Sequence, residues 1–189
     1  MKKRLLAPAN VCLQIVDVQQ SLMAKIHGVK RITATVELMI RCAEILEIPI
    51  VANTQYQKGL GPYVPEIEAL VGGIDRFDKV EFNALANGPT RAFIDGLPDS
   101  VSTVALVGVE THICIYQTAM GLLDKGLDVW VVTDGVSSRN IEDHLDGLAR
   151  MRSMGVSMGP SEMLIYELLG RAGSPEFKRV LPYIIDRDK

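Results

Sequence analysis

Histidine is scarce in this chain: the three residues, His27, His112 and His144, are scattered and show no ligand spacing, so no metal and no other cofactor is expected. Cysteine is equally sparse. Cys12, Cys42 and Cys114 lie too far apart for a disulfide framework and fit a reducing, cytoplasmic setting. No apolar run is long enough to span a membrane, so a membrane-embedded role is excluded. Basic clusters are also missing. Beyond Lys2-Lys3-Arg4 there is no run of cations, and the net charge is −3. Nucleic-acid binders carry a basic face or stripe, so nucleic acid is not an expected partner. The N-terminus has no signal-type apolar region, and a strand pattern begins almost at once, which leaves no room for an amphipathic transit segment. There is no repeat, linker or low-complexity segment.

What is present is a globular composition. The 189 residues are 48% hydrophobic and only 23% charged, which argues against disorder and fits one domain over residues 1–189 with a substantial core. That apolar share also suggests surface buried between subunits. Strand-length apolar runs at 11–17, 49–54, 75–79, 103–108, 128–133 and 155–158 alternate with helical patterns at 30–47, 63–71, 89–95, 112–125, 141–153 and 160–170. Near-continuous apolar strands such as Val129-Trp130-Val131-Val132 predict burial on both faces. The alternation predicts a three-layer α/β/α sandwich around a mostly parallel sheet of about six strands, Rossmann-like in plan. The tail from Arg171 to Lys189, with Pro175 and Pro182, is expected to pack peripherally or against another subunit.

Three polar residues fall where such strands end. Asp17 follows the first strand, Lys79 closes the third, and Cys114 stands just beyond Val104-Ala105-Leu106-Val107, in the expected first turn of a helix. Ligands of open α/β sheets bind at the carboxyl ends of the strands. The amide groups and dipole of a helix start favour a thiolate. Cys114 thus reads as a nucleophile, or else as a small buried filler. Cys12 and Cys42 lie in an apolar strand and on a helix face, and read as packing residues. Asp17 and Lys79 read as an acid–base pair, or else as a plain salt bridge.

The segments "IVDVQ" around Asp17, "DKVEFNAL" around Lys79 and "GVETHICIYQTAMGLLDKGLDVWVVTDGVSSR" around Cys114 resemble the isochorismatase-like cysteine hydrolases, in the same order, from about Val11 to Gly159. "QYQKGLGPYVPEI" resembles a subgroup of bacterial hydrolases of unknown substrate, isochorismatase-domain-containing proteins of animals, and trypanosomatid proteins named as mitochondrion-associated ribonucleases. The resemblance implies a catalytic triad of Asp17, Lys79 and Cys114 that cleaves a small amide or related C–N bond through a thioester. It also implies an oxyanion hole formed by the backbone N–H groups of Glu110 and Cys114, and a cis peptide at Val109–Glu110. A homo-oligomer, tetramer or octamer, is implied too.

In that reaction Lys79 would stabilise the thiolate, while Asp17 takes its proton and returns it to the leaving group. Burial would raise the Asp17 pKa and Lys79 would oppose that. Gln19, Gln55, Tyr56, Phe82, Thr111 and Tyr116 are candidate substrate-binding residues. Gln19 and Thr111 also read as supports for the site, and Thr111 equally as a helix cap. Ser137-Ser138-Arg139 reads as structural or intersubunit. The resemblance bears on metals as well. Nicotinamidases of the superfamily hold a metal through an Asp-Trp-His element, and Asn53-Thr54-Gln55-Tyr56-Gln57 offers neither a histidine nor a carboxylate there. True isochorismatases lack the cysteine. Two other readings stay open: a ribonuclease with a mitochondrial association, suggested by the name of relatives, and a non-catalytic oligomeric binding or thiol-sensing protein.

Overall fold

A computed structural model describes residues 5–187, so the run Lys2-Lys3-Arg4 and the end of the tail lie outside the described residues. Six strands form one sheet: β1 (Val11–Val16), β2 (Ile50–Gln55), β3 (Asp75–Lys79), β4 (Thr103–Val109), β5 (Asp128–Ser137) and β6 (Ser157–Gly159). Their order is β3-β2-β1-β4-β5-β6, and every pairing is parallel. The chain winds outward from β1 to β3, then returns to lay β4 on the other side of β1. The C-terminal ends of β1 and β4 therefore flank the point where the winding reverses, the place in such sheets where a crevice opens.

Alternation along the central strands assigns side chains to two cores. Leu13 and Ile15 of β1, with Ala105 and Val107 of β4, join one cluster with helix α1 (Val29–Ile45). Cys12 and Val16, with Val104 and Leu106, join the other. That second face is covered by α2 (Gly88–Asp95), α3 (Tyr116–Asp124) and α4 (Ile141–Ser153), through Ile94, Ala119, Leu122 and Met151. Every residue of β1 and β4 is buried, which explains why these strands read as near-continuous apolar runs; the exception inside β1, Gln14, donates its amide to Asn53 Oδ1. On the first face, α5 (Ser161–Leu169) adds Leu164, Ile165 and Leu168.

Four elements differ from the sequence pattern. The helix expected over 63–71 is a single turn, Pro65–Glu68. The strand expected over 128–133 runs on to Ser137 through a register shift opposite Leu106 and Gly108. Cys114 lies not in an α-helical first turn but in a π-helical turn, Thr111–Ile115, that precedes α3. The tail folds as helix α6 (Pro175–Arg187) despite the internal Pro182, because Val180 and Ile184 reach the core beside α1. The Arg41 guanidinium stacks over the Tyr183 ring across that contact, 5.9 Å from its centre.

Candidate active site

Backbone geometry at the strand ends prepares the site. Gly108 has φ +117°, and a β-carbon there would lie 1.9 Å from the Val16 carbonyl oxygen, so only glycine lets β4 run this close to β1. Asp17 turns out of β1 with φ +55°, a left-handed conformation that aspartate tolerates better than most residues. Its N–H still donates to the Asn53 carbonyl (3.0 Å), which anchors the turn to β2. The peptide between Val109 and Glu110 is cis.

Asp17 sits at the centre. Its Oδ2 accepts from the Lys79 ammonium at 2.8 Å, and both side chains are fully buried (0% exposed). Lys79 also donates to Gln55 Oε1 at 2.6 Å; register places these two residues side by side at the ends of β2 and β3. The Cys114 thiol lies within hydrogen-bonding reach of the Asp17 carboxyl. Asp17 Oδ1 is buried and has no hydrogen-bond partner, which leaves it free to accept a proton.

Burial pushes the Asp17 carboxyl above its usual range, against the downward pull of Lys79. Burial likewise pushes the Cys114 thiol up to about 12; the Asp17 charge adds to this, and Lys79 opposes it. Burial beside a carboxylate thus opposes the thiolate that a helix start would favour and keeps the proton on sulfur until a base takes it. Cys12 and Cys42 are also pushed up to about 12 by burial, with no acid or base in contact.

These groups open onto a cavity of about 330 Å³. Asp17, Gln55, Phe82, Glu110 and Cys114 line it, together with Lys25 and Arg139, and Leu22, Ile26 and Ile113 supply apolar wall. Lys79 stands behind Asp17 and does not line it, and neither do four of the candidate substrate-binding residues. Gln19 is buried, and its amide is spent on the backbone of Gln55 and Gly61. Thr111 is buried, with its hydroxyl 2.9 Å from His144 Nδ1 in α4. Tyr56 and Tyr116 lie outside the lining, and Tyr56 is 51% exposed. Gln19 and Thr111 therefore hold the loops that carry Gln55 and Cys114.

Arg139 was not legible as a cavity residue. Its backbone N–H and Nε both donate to Glu110 Oε2, at 2.9 and 3.1 Å. That clasp joins the loop after β5 to the turn that carries the cysteine. Ser138 Oγ makes a second link, 2.9 Å from His112 Nδ1. The triplet "SSR" was the available signal, but nothing in it reveals the partner. Among the described residues, no group of histidine, cysteine and carboxylate side chains suits a metal ion, and no helix is long and apolar enough to cross a membrane.

Comparison with known proteins matches residues 11–162 to the isochorismatase domain. Isochorismatase domain-containing protein 2 of Xenopus laevis is 37% identical over 174 residues, which covers 92% of this chain and 83% of the relative. A Caenorhabditis elegans structure described as MAR1 ribonuclease superposes with a TM-score of 0.88 at 36% identity, covering 96% of this chain and 93% of that one. The YcaC gene product of Escherichia coli, described as an octameric hydrolase of unknown specificity, shares the fold, with a TM-score of 0.88 at 20% identity over 100% of this chain and 95% of that one.

Proposed function

The chain belongs to the isochorismatase domain family, and from that premise we propose that it is a cysteine hydrolase cleaving a small amide or related C–N bond. The observation that carries this reading is the position of Asp17, 2.8 Å from the Lys79 ammonium and on the same cavity wall as the Cys114 thiol, near enough for its charge to act on the sulfur. A plain salt bridge needs no thiol beside it. A buried carboxyl with a raised pKa is suited to exchange protons with a neutral thiol.

The chemistry follows from that position. Asp17 takes the Sγ proton as Cys114 attacks the substrate carbonyl carbon. The C=O bond opens to an oxyanion within reach of the Glu110 and Cys114 N–H groups; fixed donors of this kind supply a large share of catalysis. No protein acceptor takes the Glu110 N–H among the described residues. Collapse re-forms the carbonyl, breaks the C–N bond and expels the amine, which takes the proton from Asp17. The product is a Cys114 thioester. Asp17 then removes a proton from water, hydroxide adds to the thioester, and the acid leaves as the thiol is reprotonated. Lys79 holds Asp17 in place and offsets negative charge through both halves.

The test is intact-protein mass spectrometry during turnover of a small-amide library. An acyl adduct mapped to Cys114, absent in Cys114→Ala, is expected. Amide turnover that survives Cys114→Ala would refute the mechanism. RNA cleavage that persists in Cys114→Ala but not in Asp17→Ala would instead favour the activity named for the worm relative. Reversible peroxide oxidation of Cys114 without any turnover would favour thiol sensing. The same reading includes a homo-oligomer, for which the octamer of the Escherichia coli relative is the precedent.

A further inference from the structure

The titratable groups of the cavity do not balance in charge. Asp17 is compensated by Lys79, and Glu110 by Arg139. Lys25 also lines the cavity, on the segment after the helical turn Gln20–Met23, and its ammonium has no ion-pair or hydrogen-bond partner among the described residues. Cys114 is neutral, as argued above. One positive charge is therefore left over, at the solvent side of a cavity whose reacting groups lie at the buried end.

From this imbalance we propose that the substrate carries a carboxylate, and that Lys25 binds it while the scissile carbonyl lies against Cys114. The proposal rests on the hydrolase reading and narrows it to small acidic amides. Size and charge agree. A cavity of about 330 Å³ admits a short acyl chain. One unpaired ammonium matches one negative charge, whereas a dianionic phosphate would leave a charge unmatched. Apolar Leu22, Ile26 and Ile113 suit the few methylenes between the two ends. Arg139 is held by Glu110 and so adds shape to the mouth rather than net charge.

Two alkylating reagents of nearly equal size test this without knowledge of the natural substrate. Iodoacetate is an anion and iodoacetamide is neutral; each transfers its methylene to Cys114 Sγ with loss of iodide and of the thiol proton. The quantity read is the ratio of their rates at Cys114, by peptide mapping, in the full chain. In wild type this ratio is expected to exceed that of the same variant protein carrying Lys25→Met by about five- to tenfold, with Lys25→Arg restoring it. The difference should shrink in high salt, since an exposed cation is screened. Equal ratios in wild type and Lys25→Met would overturn the proposal.

A second measurement covers slow labelling. Backbone amide shifts are followed by nuclear magnetic resonance during titration with propionate and with propionamide. Shifts over residues 21–26 that require both the carboxylate and Lys25 support the proposal, and equal responses to the two probes refute it. Either result is independent of acyl-enzyme formation. A Lys25-dependent preference with no acyl adduct would sink the hydrolase reading and leave the anion site standing.

Discussion

Breaking the Asp17–Lys79 pair from one side should cost more than removing it whole. Both side chains are fully buried, and their contact is 2.8 Å. Removing one partner leaves an uncompensated buried charge, a change that typically costs about 3–5 kcal/mol. In Lys79→Met the stranded charge is Asp17, and in Asp17→Asn it is Lys79. The double variant strands neither and is expected to lose less than about 2 kcal/mol, since well-packed neutral replacements are often near neutral. The coupling energy should therefore be at least about 4 kcal/mol, well above the few tenths seen for independent sites.

The pH dependence supplies an internal check. The Asp17 carboxyl already titrates above its unfolded value, and loss of Lys79 raises it further. A group whose folded pKa is raised contributes stability below its unfolded pKa and loses it as pH rises through the folded pKa. Lys79→Met should thus be penalised less at pH 5 than at pH 8. Urea denaturation of the four proteins at both pH values measures these terms. Additive single-variant losses, or a Lys79→Met penalty that does not change with pH, would refute the assignment of Asp17 as a charged partner inside the protein.

Two further outcomes follow from geometry and assembly. Gly108→Ala should destabilise the fold by about 2 kcal/mol or more, and should slow Cys114 labelling in whatever folds, because the new methyl meets the Val16 carbonyl at a positive φ; thermal melts and peptide mapping check this. Native mass spectrometry should find a homo-oligomer, and a monomer at micromolar concentration would remove that part of the proposed function.

The sheet and the position of its crevice were legible because they depend on local signals. Buried central strands impose near-continuous apolar runs, and those of β1 and β4 stop where Asp17 and Glu110 begin, whereas the edge strand β3 has no such run and ends on Lys79 itself. The structure brings Asp17, Lys79 and Cys114 together at one sheet end. The remainder depended on contacts distant in sequence. Thr111 bonds to His144, thirty-three positions later. Arg139 reaches Glu110 only because β5 runs past its register shift to Ser137. Helix α6 overrides Pro182 through two buried aliphatic residues against α1. The burial that opposes a Cys114 thiolate was hidden for a similar reason: helix position is a local cue, whereas burial beside a carboxylate is a tertiary one.

The reversal of winding between β1 and β4 also sets an order in time. Residues 11–79 carry the acid–base group and the ammonium on β1, β2 and β3, and the nucleophile follows only after β4. A ribosome releases the chain from its N-terminus, so a growing polypeptide holds the proton acceptor and its counter-ion before the sulfur exists. The residues that bury Cys114, among them Ala119, Leu122, Val136 and Met151, come later still. Until they pack, the sulfur behaves as an ordinary free thiol, so its shielding depends on the second half of the sheet.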